Sequence, residues 1–281
     1  MSAPPVSAPP VSAPPVSAPP VSVPAISGTS QAGGAPAIVV EGVTQIFGTR
    51  TIYADVSTTV ARGEIFVILG GSGCGKSTLL RQIVGLLAPS TGRIEVLGHD
   101  MYAGRGDVLQ RIGVMFQAGA LFGSMNLLEN VMLPLQVYTD LPAQACARVA
   151  QVKLAMVGLG DAGRSMPAEI SGGMAKRAAI ARALALDPPL LFLDEPSAGL
   201  DPITSAGLDQ LILDLRRDLG TTFVIVTHEL ASILAIADRC LMLDRAAKGV
   251  IAEGDPRRLR DESSHPTVRA FFRREAEERA G

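Results

Sequence analysis

Cysteine is scarce in this 281-residue chain: Cys74, Cys146 and Cys240 stand far apart and form no CxxC pair. That excludes a zinc-type spacing and a disulfide framework, and it fits a reducing compartment. Charge of either sign is also in short supply, since 25 Lys and Arg against 27 Asp and Glu leave a formal net charge of −2. No long basic stripe stands out, so recognition of a nucleic-acid backbone is not expected. No apolar run approaches the roughly 18 residues that span a bilayer. The N-terminus lacks the basic-then-apolar order of a secretory signal. The expectation is a soluble, cytoplasmic protein. Hydrophobic residues make up 47% of the chain, enough to bury the core of one large domain or two small ones.

Residues 1–36 stand apart from the rest. SAPPV occurs four times in succession from Ser2 to Val21, and the degenerate copy SVPAI follows. Proline pairs every five residues forbid helix and sheet ladders, leaving polyproline II or disorder. Such a tail reads as a spacer, as a ligand for a proline-reading domain, or as a tolerated disordered appendage. Order is expected from about Ala37. Residues 38–47 and 51–60 read as strands, and 64–69 is a short continuous apolar run of the kind buried on both faces. Residues 190–193 and 223–227 repeat that signature, and 125–186 reads as mostly helical. Strands alternating with helices predict an α/β fold with a mostly parallel sheet.

The turn after residues 64–69 is GGSGCGKST: Gly70, Gly71, Ser72, Gly73, Cys74, Gly75, Lys76, Ser77, Thr78. It matches GxxxxGK[ST], a loop whose backbone N–H groups wrap a phosphate in dihedrals that a side chain would obstruct. The helix that follows offers unpaired donors and the positive end of its dipole. Lys76 is positioned to bridge β- and γ-phosphates, and the Ser77 hydroxyl to hold Mg2+. Nucleoside triphosphate binding follows from this loop. The Cys74 side chain reads as incidental, with a sharper alternative that its alkylation blocks nucleotide entry.

Further along, LLFLDEP delivers Asp194 and Glu195 to the end of an apolar strand, where open α/β sheets bind ligands. An acidic pair there can be a structural turn; behind a phosphate loop it is the expected magnesium and water site, Asp194 orienting the metal and Glu195 the attacking water. About 20 residues before that pair, ISGGMAKR opens an alanine-rich helix. Ser171, Gly172 and Gly173 resemble the signature LSGGQ of the ABC ATPases, with Met174 in place of the usual glutamine.

The resemblance to ABC ATPases runs from about Ile38 to Gly254. It implies that Gln117 is the Q-loop glutamine sensing Mg2+ and the γ-phosphate. By the same likeness SAGLD, ending at Asp201, is the D-loop, and His228 is the switch histidine. Phe47 falls where the family places an aromatic against adenine, although Tyr53 is near and core packing explains either ring. The implied fold is a P-loop NTPase: a RecA-like core, N-terminal antiparallel strands and a helical ABC subdomain at about 120–186. Residues 37–260 form the ATPase domain and 261–281 a C-terminal extension. The extension reads as a solvated helix or, alternatively, as a segment docked on a partner subunit.

One phosphate loop and one signature imply that a second copy completes the site, with ATP and Mg2+ held between the two. MFQAGALFGSMNLLENVMLPL and SGGMAKRAAIARALALDPPLLFLDEPSAGLDPIT resemble the ATPases of MCE-type lipid transporters, including the Mla phospholipid systems. That likeness implies integral permease subunits, an MCE-domain protein, a small STAS-domain partner and a location on the cytoplasmic face of the inner membrane. The apolar AGALF after Gln117 is either a seat for the permease or simple core packing. Three rivals remain: a polar-solute importer ATPase, a soluble ABC protein of translation or repair, and a binding module with a dead site. Intact Lys76, Asp194, Glu195 and His228 argue against the last.

Overall fold

The computed structural model describes residues 34–103 and 106–273. The SAPPV repeats and the end of the C-terminal extension lie outside the described residues.

Two sheets organise the chain. The first is antiparallel, in the order β2-β1-β4-β5, from Arg50–Val60, Ile38–Phe47, Thr91–Val96 and His99–Asp100. The second has the order β10-β9-β3-β8-β7-β6, from Gly249–Gly254, Arg239–Asp244, Ile65–Gly70, Thr222–Val226, Leu190–Asp194 and Ile112–Met115. Its β9, β3, β8, β7 and β6 are mutually parallel, and β10 returns antiparallel along the edge. Every residue of β3, β7 and β8 is buried. This matches the continuous apolar runs, because a central parallel strand is covered on both faces.

Alternate side chains of those strands feed two cores. Ile65, Val67, Leu69, Leu191, Leu193, Phe223 and Ile225 face the helices. These are α2 (Leu127–Tyr138), α3 (Ala143–Met156), α4 (Gly172–Ala183), α5 (Pro202–Leu219) and α6 (Leu230–Ile236). Phe66, Ile68, Leu190, Phe192, Val224 and Val226 face the antiparallel sheet and α1 (Lys76–Ile83). Besides β6, which is the apolar IGVMF run before Gln117, the structure adds β4, β5, β9 and β10 to the strands read from the sequence. The C-terminal segment also differs from a solvated helix. After α7 (Pro256–Glu262), α8 (Pro266–Arg273) buries Val268 and Phe272, four residues apart on one face, in the helix-side core.

A buried polar chain ties the antiparallel sheet to α1. The Tyr53 hydroxyl donates to Gln82 Oε1 at 2.5 Å, and Gln82 Nε2 donates to Gln45 Oε1 at 2.5 Å. Gln45 Nε2 in turn donates to the Ile46 carbonyl at 3.2 Å. Burial, with a smaller push from Tyr102, holds the Tyr53 phenol well above its ordinary pKa. Satisfied networks of this kind fix one arrangement, whereas a half-satisfied one is costly. Tyr53→Phe strands Gln82 Oε1 without its donor and is expected to destabilise the fold by about 1–3 kcal/mol in urea unfolding.

Candidate nucleotide site

Parallel strands release their following loops at the same edge of a sheet. Four such loops, after β3, β8, β7 and β6, carry Gly70–Thr78, His228, Asp194–Glu195 and Gln117. Their convergence at the carboxyl edge is the geometry in which open α/β sheets hold ligands.

In the first loop Gly70, Gly73 and Gly75 adopt φ of 142°, 74° and 105°. A Cβ on Gly75 would lie 2.7 Å from Tyr53 Cδ1, and one on Gly70 would lie 2.1 Å from the Leu243 carbonyl oxygen. Both glycines are therefore demanded by close approach as well as by backbone conformation. Gly71, Ser72 and Gly73 are exposed, and Ser77 and Thr78 sit in the first turn of α1. No side chain caps that helix and no acidic residue occupies its first turn, so its N–H groups are available to an anion. The Lys76 ammonium folds back over the loop, donating to the carbonyls of Gly70 at 2.9 Å and Gly71 at 3.1 Å.

Asp194 and Glu195 are 7% and 8% exposed, and Asp194 Oδ1 and Glu195 Oε2 make no hydrogen bond to the protein. Burial first, and the neighbouring Glu195 charge second, raise the Asp194 pKa; Arg81, Lys76 and Lys176 oppose that shift. Two carboxylate oxygens without a protein partner suit a hard, oxygen-loving cation. Among the described residues no group of three His, Cys, Asp or Glu could enclose a metal alone.

Glu195 has φ of 49°, a sparsely populated region for a residue with a side chain. Its N–H donates to the Val226 carbonyl at 2.8 Å, which pins it to β8. Its Oε1 meets His228 Nδ1 at 2.9 Å, while the His228 side chain remains 59% exposed. A carboxylate oriented by an imidazole in this way can accept a proton from water.

The remaining expected site residues are spread more widely. Gln117 is exposed after β6. Phe47 is 48% exposed at the end of β1, whereas Tyr53 is fully buried beneath Gly75. That leaves Phe47 free to meet a planar ligand and gives Tyr53 to the core. Ser171 caps α4, its Oγ accepting from Met174 N at 3.2 Å, and Ser171 and Gly172 are exposed. Gly173 is instead buried: a Cβ there would lie 2.6 Å from Thr204 Cγ2, so packing on α5 demands the glycine. Met174 packs against the helix-side core. Asp201 caps α5 through Ile203 and Thr204, and bonds from the Thr204 hydroxyl and N–H hold its carboxyl below the usual pKa.

Two cations and one amide escaped the sequence reading. Lys176, 9% exposed, donates to the Gln117 carbonyl and, at 3.2 Å, to the Glu195 carbonyl. Arg182 donates to the carbonyls of Ala120 at 2.6 Å and Gly119 at 2.9 Å. Buried Asn130 accepts from Phe122 N and donates to the carbonyls of Phe122, Met125 and Asn126. The spacing Gly173, Lys176, Ile180 on one helical face was the available signal for the lysine.

Cys74 faces inward. It is 1% exposed, packs in the core on the antiparallel-sheet side, and burial raises its thiol pKa. Alkylation of Cys74 as a block on nucleotide entry therefore loses its basis in the folded protein. Cys146 and Cys240 are buried too. Titration of the native chain with a thiol reagent should show no fast-reacting thiol, and all three should react once the chain is unfolded.

Comparison with known proteins agrees with this geometry. A family model described as ABC transporter matches residues 53–198. The intermembrane phospholipid transport system ATP-binding protein MlaF of Escherichia coli is 44% identical over 229 residues, covering 80% of this chain and 84% of that protein. The probable ribonucleotide transport ATP-binding protein mkl of Mycobacterium tuberculosis is 43% identical over 240 residues. That match covers 84% of this chain and 66% of the mycobacterial protein, so this chain spans just under two thirds of it. Among solved structures, the ATP-binding cassette MJ0796, a dimer in a post-hydrolysis state bound to ADP and Pi, superposes with TM-score 0.70 at 30% identity, over 78% of this chain and 98% of that one. CbiO1 of Clostridium perfringens, part of the ABC transporter complex cbiONQ, superposes with TM-score 0.73 at 29% identity, over 81% and 91%. By its loops, its sheet order and these relatives, the chain belongs to the ABC transporter family, among its ATP-binding subunits.

Proposed function

We propose that this chain hydrolyses ATP as one half of a nucleotide-sandwich dimer and thereby energises movement of phospholipid, or another hydrophobic molecule, through separate permease subunits. The observation that carries the chemistry is the buried pair Asp194–Glu195, each with one carboxylate oxygen left without a partner, together with a phosphate loop whose helix has no side-chain cap. Lys76 and the N–H groups of Gly70–Thr78 hold the phosphates. Ser77, Asp194 and Gln117 hold Mg2+, which when bound neutralises charge on the phosphate oxygens. Glu195 accepts the proton of the attacking water and His228 keeps its carboxylate in place. Catalysis in this reading is positioning and charge stabilisation, with little covalent work for the protein.

The exposed Ser171 and Gly172 support a dimer, since they are free to meet nucleotide held by a second copy. Asp201, rigid as a helix cap, orders the connecting D-loop. Residues 37–260 act as the ATPase domain, with 120–186 as its helical subdomain. In the AGALF stretch, Ala118, Ala120 and Phe122 are exposed beside Gln117, which favours a seat for a permease over core packing. No helix among the described residues is long and apolar enough to cross a membrane, so the transport path belongs to other subunits. The lipid reading rests on likeness to a protein named for phospholipid transport. It brings with it an MCE-domain protein, a STAS-domain partner and a peripheral position on the cytoplasmic face of the inner membrane.

A polar cargo is the second reading, because an equally similar relative is named for ribonucleotide transport. Gentle detergent purification of the tagged chain, with mass spectrometry of co-purifying proteins and lipids, separates the two. An MCE protein, a multi-span permease and enriched phospholipid are expected; a solute-binding protein without enriched lipid would overturn the cargo. For the chemistry, Glu195→Gln keeps the shape of the side chain and removes the base. Turnover is expected to fall by roughly 100-fold or more while ATP affinity stays within about twofold.

A further inference from the structure

Lys176 occupies a position that fold stability alone does not explain. Its side chain is buried, and among the described residues it makes no contact ion pair; it donates to two main-chain carbonyls, with the Glu195 and Asp194 charges farther off. A buried lysine is rare because its desolvation is costly, and here the charges of Glu195 and Asp194 offset only part of that cost. What the ammonium does supply is a bridge. One carbonyl belongs to Gln117, in the loop after β6, and the other to Glu195, in the loop after β7.

The same helix reinforces the first of these contacts farther along. Arg182 takes the carbonyls of Gly119 and Ala120, and its guanidinium lies 6.0 Å from the centre of the Phe122 ring. Gly119 and Ala120 have φ of 72° and 49°, so the loop is wound into a conformation that extended chain would not adopt. Three loop carbonyls are thus held by two cations of α4. The opposite end of α4 begins at exposed Ser171 and Gly172, roughly 8 Å from Lys176 at 1.5 Å per residue. Gly173, packed on Thr204, seats that end against the helix capped by Asp201.

We propose that Lys176 is a positioning residue that locks the peptide groups of Gln117 and Glu195 to the signature end of α4. The grip of α4 on a nucleotide in the partner's site then sets the water-activating loops of the chain's own site. This step across the dimer rests on the dimer reading above; the strap within one chain does not.

The test is a double-mutant cycle of ATP hydrolysis by the full chain, using Lys176→Met, Gln117→Ala and both together, with ATP affinity and thermal unfolding measured on each. Lys176→Met is expected to lower kcat by roughly tenfold or more, to leave ATP affinity within about twofold and to keep the native unfolding temperature. The double variant is expected to lose less than the product of the two single losses, because the Gln117 side chain acts from one of the two loops that Lys176 holds. Native kcat in Lys176→Met, or losses that multiply in the double variant, would overturn the strap. Should Lys176→Met not fold, Arg182→Met tests the same loop without touching the site: a kcat about threefold or more below native at unchanged ATP affinity supports the strap, and native kcat overturns it.

Light scattering of Glu195→Gln with ATP separates the two levels. Absence of a dimer removes the step across the dimer together with the dimer reading. A dimer accompanied by multiplicative losses removes the strap alone.

Discussion

Two carboxylates held at the end of a fully buried strand set the terms for the rest of this molecule. Taking an ionised carboxylate out of water costs several kcal/mol, even after relaxation. Asp194 and Glu195 sit side by side where that cost is compounded by their mutual repulsion, and burial accordingly drives the Asp194 pKa upward. Among the described residues no lysine or arginine forms a contact ion pair with either carboxylate, and the one side chain bonded to them is the His228 imidazole on Glu195. Lys76, Arg81 and Lys176 act at a distance, and two carboxylate oxygens keep no protein partner. An arrangement left this incomplete favours whatever brings positive charge and hydrogen bonds to it. The free energy withheld from folding is available to ligand binding.

That debt explains why the surrounding backbone is so tightly determined. Glu195 holds a left-handed conformation because its N–H is fixed to Val226 and its carbonyl is taken by Lys176 and by the N–H of Ala198. Gly75 turns the phosphate loop directly over the Tyr53 ring, and Tyr53 is fixed by Gln82 one helix away. The antiparallel sheet therefore acts as the floor beneath the phosphate loop. Strain of order 1–3 kcal/mol per residue survives at such positions only where the surroundings over-determine it.

What the sequence made legible follows the same logic. Contiguous chemistry was readable: the loop from Gly70 to Thr78, the acidic end of β7 and the histidine after β8 each announce themselves within a few residues. So did β3, β7 and β8, whose unbroken apolar runs reflect cover on both faces. Strands β4 and β5 were not readable, because TGRIEV carries three exposed residues and HD is too short to show a period. Side-chain roles set by distant partners were also hidden. Nothing local says that Gly173 faces Thr204, that Cys74 turns into the core, or that Asp201 spends its carboxylate on capping α5. Lys176 was in plain view within SGGMAKR, yet its partners lie 59 and 19 residues away and are peptide carbonyls, which leave no side-chain signature.

The two ends of α4 show why one chain is an incomplete site. Along its buried side, Lys176 reaches the loops after β6 and β7, Ile180 enters the helix-side core, and Gly173 allows α5 to approach. At its start, Ser171 and Gly172 face solvent, with the serine occupied only in capping its own helix. A helix N-terminus with small exposed residues favours an anion. The chain's own phosphate loop, however, faces the carboxyl edge served by Lys76 and α1. The free end of α4 and the open side of the phosphate loop are thus two halves of one recognition surface on a single chain. In the proposed dimer, a second copy related by a twofold axis brings each half to its complement, as isologous contacts require. Because α4 is short and its cations already hold the loops of Gln117 and Glu195, joining the halves in the proposed dimer would order the chemistry as well as the binding.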